Sequence, residues 1–262
     1  MQRVVNLKQK LVNKMSYLAG NFSYLVDKGK IRKTNEDEAI AAVNCYGNVL
    51  LAVADGMGGA NKGEYASSQL IKTVRNEFIN LEKEMVNPKK IATWLNKVIG
   101  EVNEKLYKLA REKDEYKGMG TTLSLCFIVK DYLITAQVGD SRIYILKDNK
   151  MQQLSVDQTY AEYLLHTKKI SEKEVATNKN RHVLTNAVGT KKQLNVDINI
   201  YPYEKEKLLL CSDGLYNNLS HDVIESILKG NDAIDRKCLQ LISFGNANGG
   251  SDNMAVVIWE SK

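Results

Sequence analysis

Apolar positions recur along the chain in two rhythms. At helical spacing, Leu70, Val74, Phe78 and Leu81 form one stripe. A second stripe, Ile91, Trp94, Val98, Val102, Leu106 and Leu109, begins just after Pro88, a residue suited to a first helical position. Val4, Leu7, Leu11, Met15 and Leu18 predict a short amphipathic helix over 3–19. Short apolar runs bounded by turn residues predict strands near 22–27, 38–44 and 48–54, then at 121–129, 132–138, 142–147, 193–200, 207–211 and 253–259. Residues 157–180 read as polar helix, and 220–229 and 232–244 as further helices. Strands and helices do not alternate regularly, and the 121–129/132–138 pair reads as a hairpin. The pattern therefore predicts an α+β fold with central antiparallel sheet and flanking helices rather than a doubly wound one.

The chain has 262 residues, only two prolines and no low-complexity linker, so one catalytic domain over 21–262 with a basic segment over 1–20 is expected. No apolar run approaches the roughly 18 residues that cross a bilayer. The first twenty residues lack a continuous apolar stretch, so the expected location is the cytoplasm. Cys45, Cys126, Cys211 and Cys238 are far apart, and none is followed by arginine six positions on, which excludes a cysteine-dependent phosphatase loop. With only His166, His182 and His221 besides, a zinc site is not expected.

The formal charge of +6 is local. Residues 1–33 hold eight Lys/Arg against Asp27 alone, which leaves 29 basic and 30 acidic residues in the remainder. A broad nucleic-acid surface is therefore not expected. The basic helix at 3–19 is expected to pack on the domain, with contact to an anionic membrane surface as the minor alternative.

Candidate chemistry lies where acids meet strand ends. Asp55 closes the apolar run LAVAD and is followed by glycines; Asp140 follows ITAQVG; Asp213 follows KLLLCS; Asp252 precedes NMAVVIW. One Asp-Gly after a strand is most often a turn. Four acids at strand ends could converge on one rim of a sheet, where their repulsion calls for cations, and oxygen-only ligands select hard ions such as Mg²⁺ or Mn²⁺. A phosphate-loop reading of GGANKGE fails because Glu64 stands where lysine is needed, and no D-x-D-x-D-G calcium loop occurs.

GKIRKTNED, VADGMGGANKGEYAS, GMGTTLSL, VGDSRIYIL, LTNAVG, LCSDGL and GGSDN follow one another in the order found in metal-dependent protein serine/threonine phosphatases. The chain resembles this PPM or type 2C family, and most of all its short bacterial members, from about Tyr24 to Trp259. The resemblance implies a pair of antiparallel sheets between helical layers and a metal-activated hydroxide at a binuclear Mg²⁺ or Mn²⁺ centre that hydrolyses phosphoserine and phosphothreonine. By the same resemblance Asp55 bridges the two ions, the Gly56 carbonyl ligates one, Asp213 and Asp252 complete the site, and Glu36 and Asp37 hold outer waters. Arg32 grips the substrate phosphate, Asp140 holds a third, weaker ion, and 157–185 form a flap.

Met57 stands where animal members carry a histidine proposed to protonate the leaving group, which leaves the general acid unassigned. Asn217 replaces an acid of some relatives, and Asn178 and Asn186 replace His and Arg near the flap. The implied partners are phosphoproteins, including a cognate Ser/Thr kinase, and the expected state is a monomer. The alternatives are a partner-switching phosphatase with a single regulatory substrate, and a non-catalytic phosphopeptide reader.

Overall fold

The computed structural model describes residues 20–58, 62–175 and 177–261, so the helix expected over 3–19 lies outside the described residues. One sheet has the order β1 (Gly20–Asp27), β11 (Met254–Ser261), β10 (Lys207–Cys211), β7 (Arg142–Lys147), β8 (Lys150–Gln153). The other runs β2 (Asp37–Val43), β3 (Val49–Met57), β5 (Leu123–Val129), β6 (Tyr132–Val138), β9 (Asp197–Pro202), with the two-residue β4 (Gly120–Thr121) added to the end of β3. Every pairing is antiparallel.

The two-residue period of a strand explains the layers. Val49, Leu51 and Val53 face Leu208, Leu210, Val257 and Trp259 across the sandwich. Leu50, Ala52 and Ala54 face the other way, into the helices α1 (Lys62–Ile79) and α2 (Pro88–Glu112). On the opposite outer face, Leu209, Cys211, Val256 and Ile258 meet α6 (His221–Lys229) and α7 (Ile234–Ala247). Both faces of the central strands are thus covered, which is why VLLAVA and LSLCFIV read as unbroken apolar runs rather than alternating ones.

Several boundaries differ from the sequence expectation. The strand expected to stop near residue 54 continues through Asp55, Gly56 and Met57, because Gly56 and Met57 pair with Thr121 and Gly120 of β4. The run expected as one strand over 121–129 steps at Thr122 between β4 and β5. The helical reading of 157–180 resolves into two short pieces, α3 (Tyr160–His166) and α4 (Glu172–Val175), separated by Lys168 at φ 56. Their polar pattern offers no apolar stripe, and only Ala161 among them is buried.

Strand β9 begins at Asp197 rather than 193, and Leu194 and Val196 pack from a loop onto the α1/α2 core. β8 was not expected. Its sequence is polar, but Asp148 (φ 50) and Asn149 (φ 58) form the left-handed two-residue turn that closes a hairpin with β7.

Trp259 is fully buried between the sheets, and its indole N–H donates to the Tyr203 hydroxyl at 2.8 Å. Trp259→Ala should lower unfolding free energy in urea by about 3–5 kcal/mol. Trp259→Phe, which keeps most of the apolar volume but leaves that hydroxyl without its donor, should cost about 1–2 kcal/mol.

Candidate active site

Asp55 is fixed through its backbone. Its N–H donates to Thr122 Oγ1 at 2.9 Å, and its carbonyl accepts from Thr122 N at 2.9 Å and Thr121 Oγ1 at 3.0 Å. Thr122 Oγ1 in turn shares a 2.7 Å hydrogen bond with Ser141 Oγ. The carboxylate is left at the rim of the sheet, directly across the strand pair from Asp37. Gly56 donates its N–H to the Glu36 carbonyl at 3.0 Å. A Cβ at Gly56 would lie 2.2 Å from the Gly63 carbonyl, so glycine is required there by the close approach of the first turn of α1.

Asp213 is the first residue of a short helix, α5 (Asp213–Asn218), where the sequence suggested a turn. An acid suits a helix start, and the Asn217 side-chain amide donates to Asp213 Oδ2 at 3.1 Å. Asp252 accepts from Arg32 Nη2 at 2.7 Å through Oδ2 and from the Asn253 N–H at 2.8 Å through Oδ1. Asp140 is buried in the turn between β6 and β7, its carbonyl accepting from the Tyr216 hydroxyl at 3.0 Å.

Asp37 is buried as well. Its Oδ2 accepts from Ser212 Oγ at 2.6 Å, while its Oδ1 has no partner. The Glu36 carboxylate accepts from the Gly63 N–H at 3.1 Å.

Five carboxylates therefore feel one another. Burial raises the pKa of Asp55 well above the carboxylate range, and the charges of Asp37, Asp213, Asp140 and Asp252 raise it further. Asp37 is raised by burial and then by Asp213 and Asp252, against the lowering effect of the Ser212 hydrogen bond. Asp213 is raised by burial and by Asp252, and Asp140 is pushed up to about 8 by burial and by Asp213. At Arg32 burial favours the neutral form, but the charge and hydrogen bond of Asp252, with Asp55 and Glu36 behind, outweigh it and raise the pKa.

Among the described residues no three His, Cys, Asp or Glu side chains stand at the spacing of a finished coordination shell. The donor set nevertheless fits a hard divalent cation. It is all oxygen, its charges repel, and it includes a buried carboxylate oxygen with no partner.

Sequence reasoning passed over Ser212 and Asn253 as functional residues. Each adjoins an acid in a quoted motif, and that adjacency was the available signal. Ser212 Oγ donates to Asp37 and accepts from the Ala255 N–H at 2.8 Å, tying β10 to β11 beneath the acids.

The architecture has close counterparts of known activity. The structure of the S. agalactiae serine/threonine phosphatase superposes with a TM-score of 0.87 at 32% identity, covering 93% of this chain and all of that one. The catalytic domain of the serine/threonine protein phosphatase PstP, in complex with two manganese ions, superposes with a TM-score of 0.80 at 26% identity, over 93% of this chain and 99% of that one. The serine/threonine phosphatase stp of Listeria welshimeri is 34% identical over 238 residues, 90% of this chain and 94% of the relative. A fold and an acid-lined rim of this kind define a metal-dependent protein phosphatase. The profile of the family Protein phosphatase 2C matches residues 30–236, and the chain belongs to that family.

The raised carboxyls carry a pH signature. They bind protons more tightly folded than unfolded, so their contribution to stability is fully present below about pH 4 and is lost as pH rises through their folded values, near 8 for Asp140. In chelator, the melting temperature should fall between pH 5 and pH 8. Added Mn²⁺ should restore more of it at pH 8 than at pH 6. Asp55→Asn should raise the metal-free melting temperature at pH 8 by about 4 °C or more in a thermal scan.

Proposed function

We propose that the chain hydrolyses phosphoserine and phosphothreonine in proteins at a pair of Mn²⁺ or Mg²⁺ ions. The reading rests on one observation above the others: the Arg32 guanidinium, a group shaped for phosphate oxygens, is hydrogen-bonded at 2.7 Å to Asp252 beside the mutually repelling acids. Asp55, Asp213, Asp252 and the Gly56 carbonyl are the groups proposed to hold the two ions, with Glu36 and Asp37 behind them and Asp140 serving a third. Bound there, such ions supply Lewis acidity that activates water and neutralises phosphoryl oxygens.

The chain's own residues then have separate tasks. Arg32 still has guanidinium N–H groups beyond the one given to Asp252, and these orient the phosphate. Thr121 and Thr122 fix the Asp55 backbone, so its carboxylate need not reorganise when charge develops. Met57, beside Gly56, has no proton to donate to a leaving oxygen. The catalytic unit is assigned to 21–262, with 1–20 as an appended basic segment. A cytoplasmic monomer that acts on phosphoproteins, a cognate kinase among them, completes the proposal.

Purified protein should release phosphate from phosphothreonine peptides with Mn²⁺ or Mg²⁺ and not in EDTA. Asp55→Asn should cut kcat by about 100-fold or more, since the negative charge that Asp55 would offer the ions is lost. Activity retained in EDTA would overturn the metal assignment. Arg32→Ala should raise KM about tenfold with kcat within about threefold, as expected for a clamp made already in the ground state; an unchanged KM would make Arg32 a surface charge.

A further inference from the structure

The segment from Lys28 to Thr34 borders the acids without belonging to them. It carries Lys28, Lys30, Arg32 and Lys33 with no acid among them, and all four are exposed. Ile31, at 70% exposure, is the most exposed large apolar side chain among the described residues. Among those residues Arg32 has its pairing to Asp252, whereas Lys28, Lys30 and Lys33 form no ion pair.

Lysines on a loose loop would be an ordinary solvated face, but this loop is fastened along its length. The Gly250 carbonyl accepts from the N–H groups of Lys30 at 2.8 Å and Ile31 at 3.3 Å. The Gly29 N–H donates to Asp27 Oδ1 at 2.8 Å. The Asn253 amide donates to the carbonyls of Lys28 at 2.8 Å and Thr34 at 2.9 Å, and its oxygen accepts from the Glu36 N–H at 2.9 Å. Gly29 has φ +74, and a Cβ there would stand 2.2 Å from the Asp252 carbonyl, so the loop lies directly against the strand entry that carries Asp252. The anchors come from residues on both sides of Asp252. The backbone that carries the three lysines and the isoleucine is therefore held at fixed offsets from Arg32, and a partner would meet it without first ordering the loop's main chain.

We propose that residues 28–33 are a preformed docking rim for acidic phosphoprotein segments. Arg32 takes the phosphate, Lys28, Lys30 and Lys33 attract aspartate or glutamate side chains flanking the phosphorylated residue, and Ile31 covers an apolar neighbour. This rests on the phosphatase reading above and names the substrate class for that site. An anionic membrane fits the same charges less well. One isoleucine offers little apolar area for insertion, and each lysine near such a surface contributes only about 1 kcal/mol.

The test compares phosphothreonine peptides flanked by aspartate or by lysine, on the wild type and on Lys30→Glu/Lys33→Glu and Ile31→Ser, with p-nitrophenyl phosphate as a substrate that has no flanks. Wild-type kcat/KM should be about tenfold higher on the acidic peptide at low salt, and the preference should shrink in 0.5 M salt. It should fall within about twofold, or reverse, in the double variant, with p-nitrophenyl phosphate turnover unchanged. Ile31→Ser should lower kcat/KM on peptides alone. Equal wild-type kcat/KM for the two peptides, or a preference that survives the double substitution, overturns the rim. So does loss of binding to phosphatidylserine vesicles in the double variant with peptide selectivity intact. Binding of the same labelled peptides to the full chain in EDTA separates the two readings. If no phosphopeptide is turned over with Mn²⁺ or Mg²⁺ present, yet the acidic one still binds more tightly in EDTA, the rim stands and the phosphatase reading falls.

Discussion

The constraint on which the rest of this structure depends is the repulsion among carboxylates gathered at one rim of a two-sheet sandwich. Asp37 and Asp55 face each other across one strand pair, Asp140 sits in a turn, Asp213 opens a helix and Asp252 precedes the last strand. Left to themselves these groups would separate or take up protons, as their raised pKa values record. The backbone prevents separation. Thr121 and Thr122 grip Asp55, Ser212 joins Asp37 to the β10–β11 pair, and the Asn253 amide spans the gap from β11 to the loop ahead of β2. Each of these uses a neutral donor or acceptor, which secures position without cancelling the negative charge that a cation requires.

The layers were legible in the sequence because they follow from burial. Continuous apolar strands need cover on both faces, and the helical stripes at 70–78 and 91–106 provide it on one side. The four acids at strand ends were equally plain, since an acid directly after an apolar run stands out against its surroundings. What escaped notice was of two kinds. Boundaries set by distant partners, such as the extension of β3 to Met57 through pairing with β4, cannot be seen in local pattern. Neither can polar contacts across more than a hundred residues, such as Ser212 with Asp37 or Asn253 with Thr34. Gly56 was legible only through the resemblance, as a carbonyl ligand; the steric need for glycine, the 2.2 Å that would separate a Cβ there from the Gly63 carbonyl, was not.

The two sides of the site are built to different standards of rigidity. The Arg32 side is tied by backbone and amide hydrogen bonds to the sheet that carries Asp252. The other side, α3 and α4, buries a single alanine between them and leaves Tyr160, Tyr163 and Val183 exposed. Its base, by contrast, is well anchored: Gln158 exchanges hydrogen bonds with Gly139, its carbonyl accepts from Thr185, and its side-chain oxygen accepts from Asn186. Few buried apolar contacts make a segment inexpensive to open or repack, whereas a strong stem keeps its point of attachment beside Asp140 fixed. The Arg32 loop is thus the rigid edge of the acid-lined rim, and the thinly packed helices on their fixed stem are the part of the fold that can rearrange at least cost.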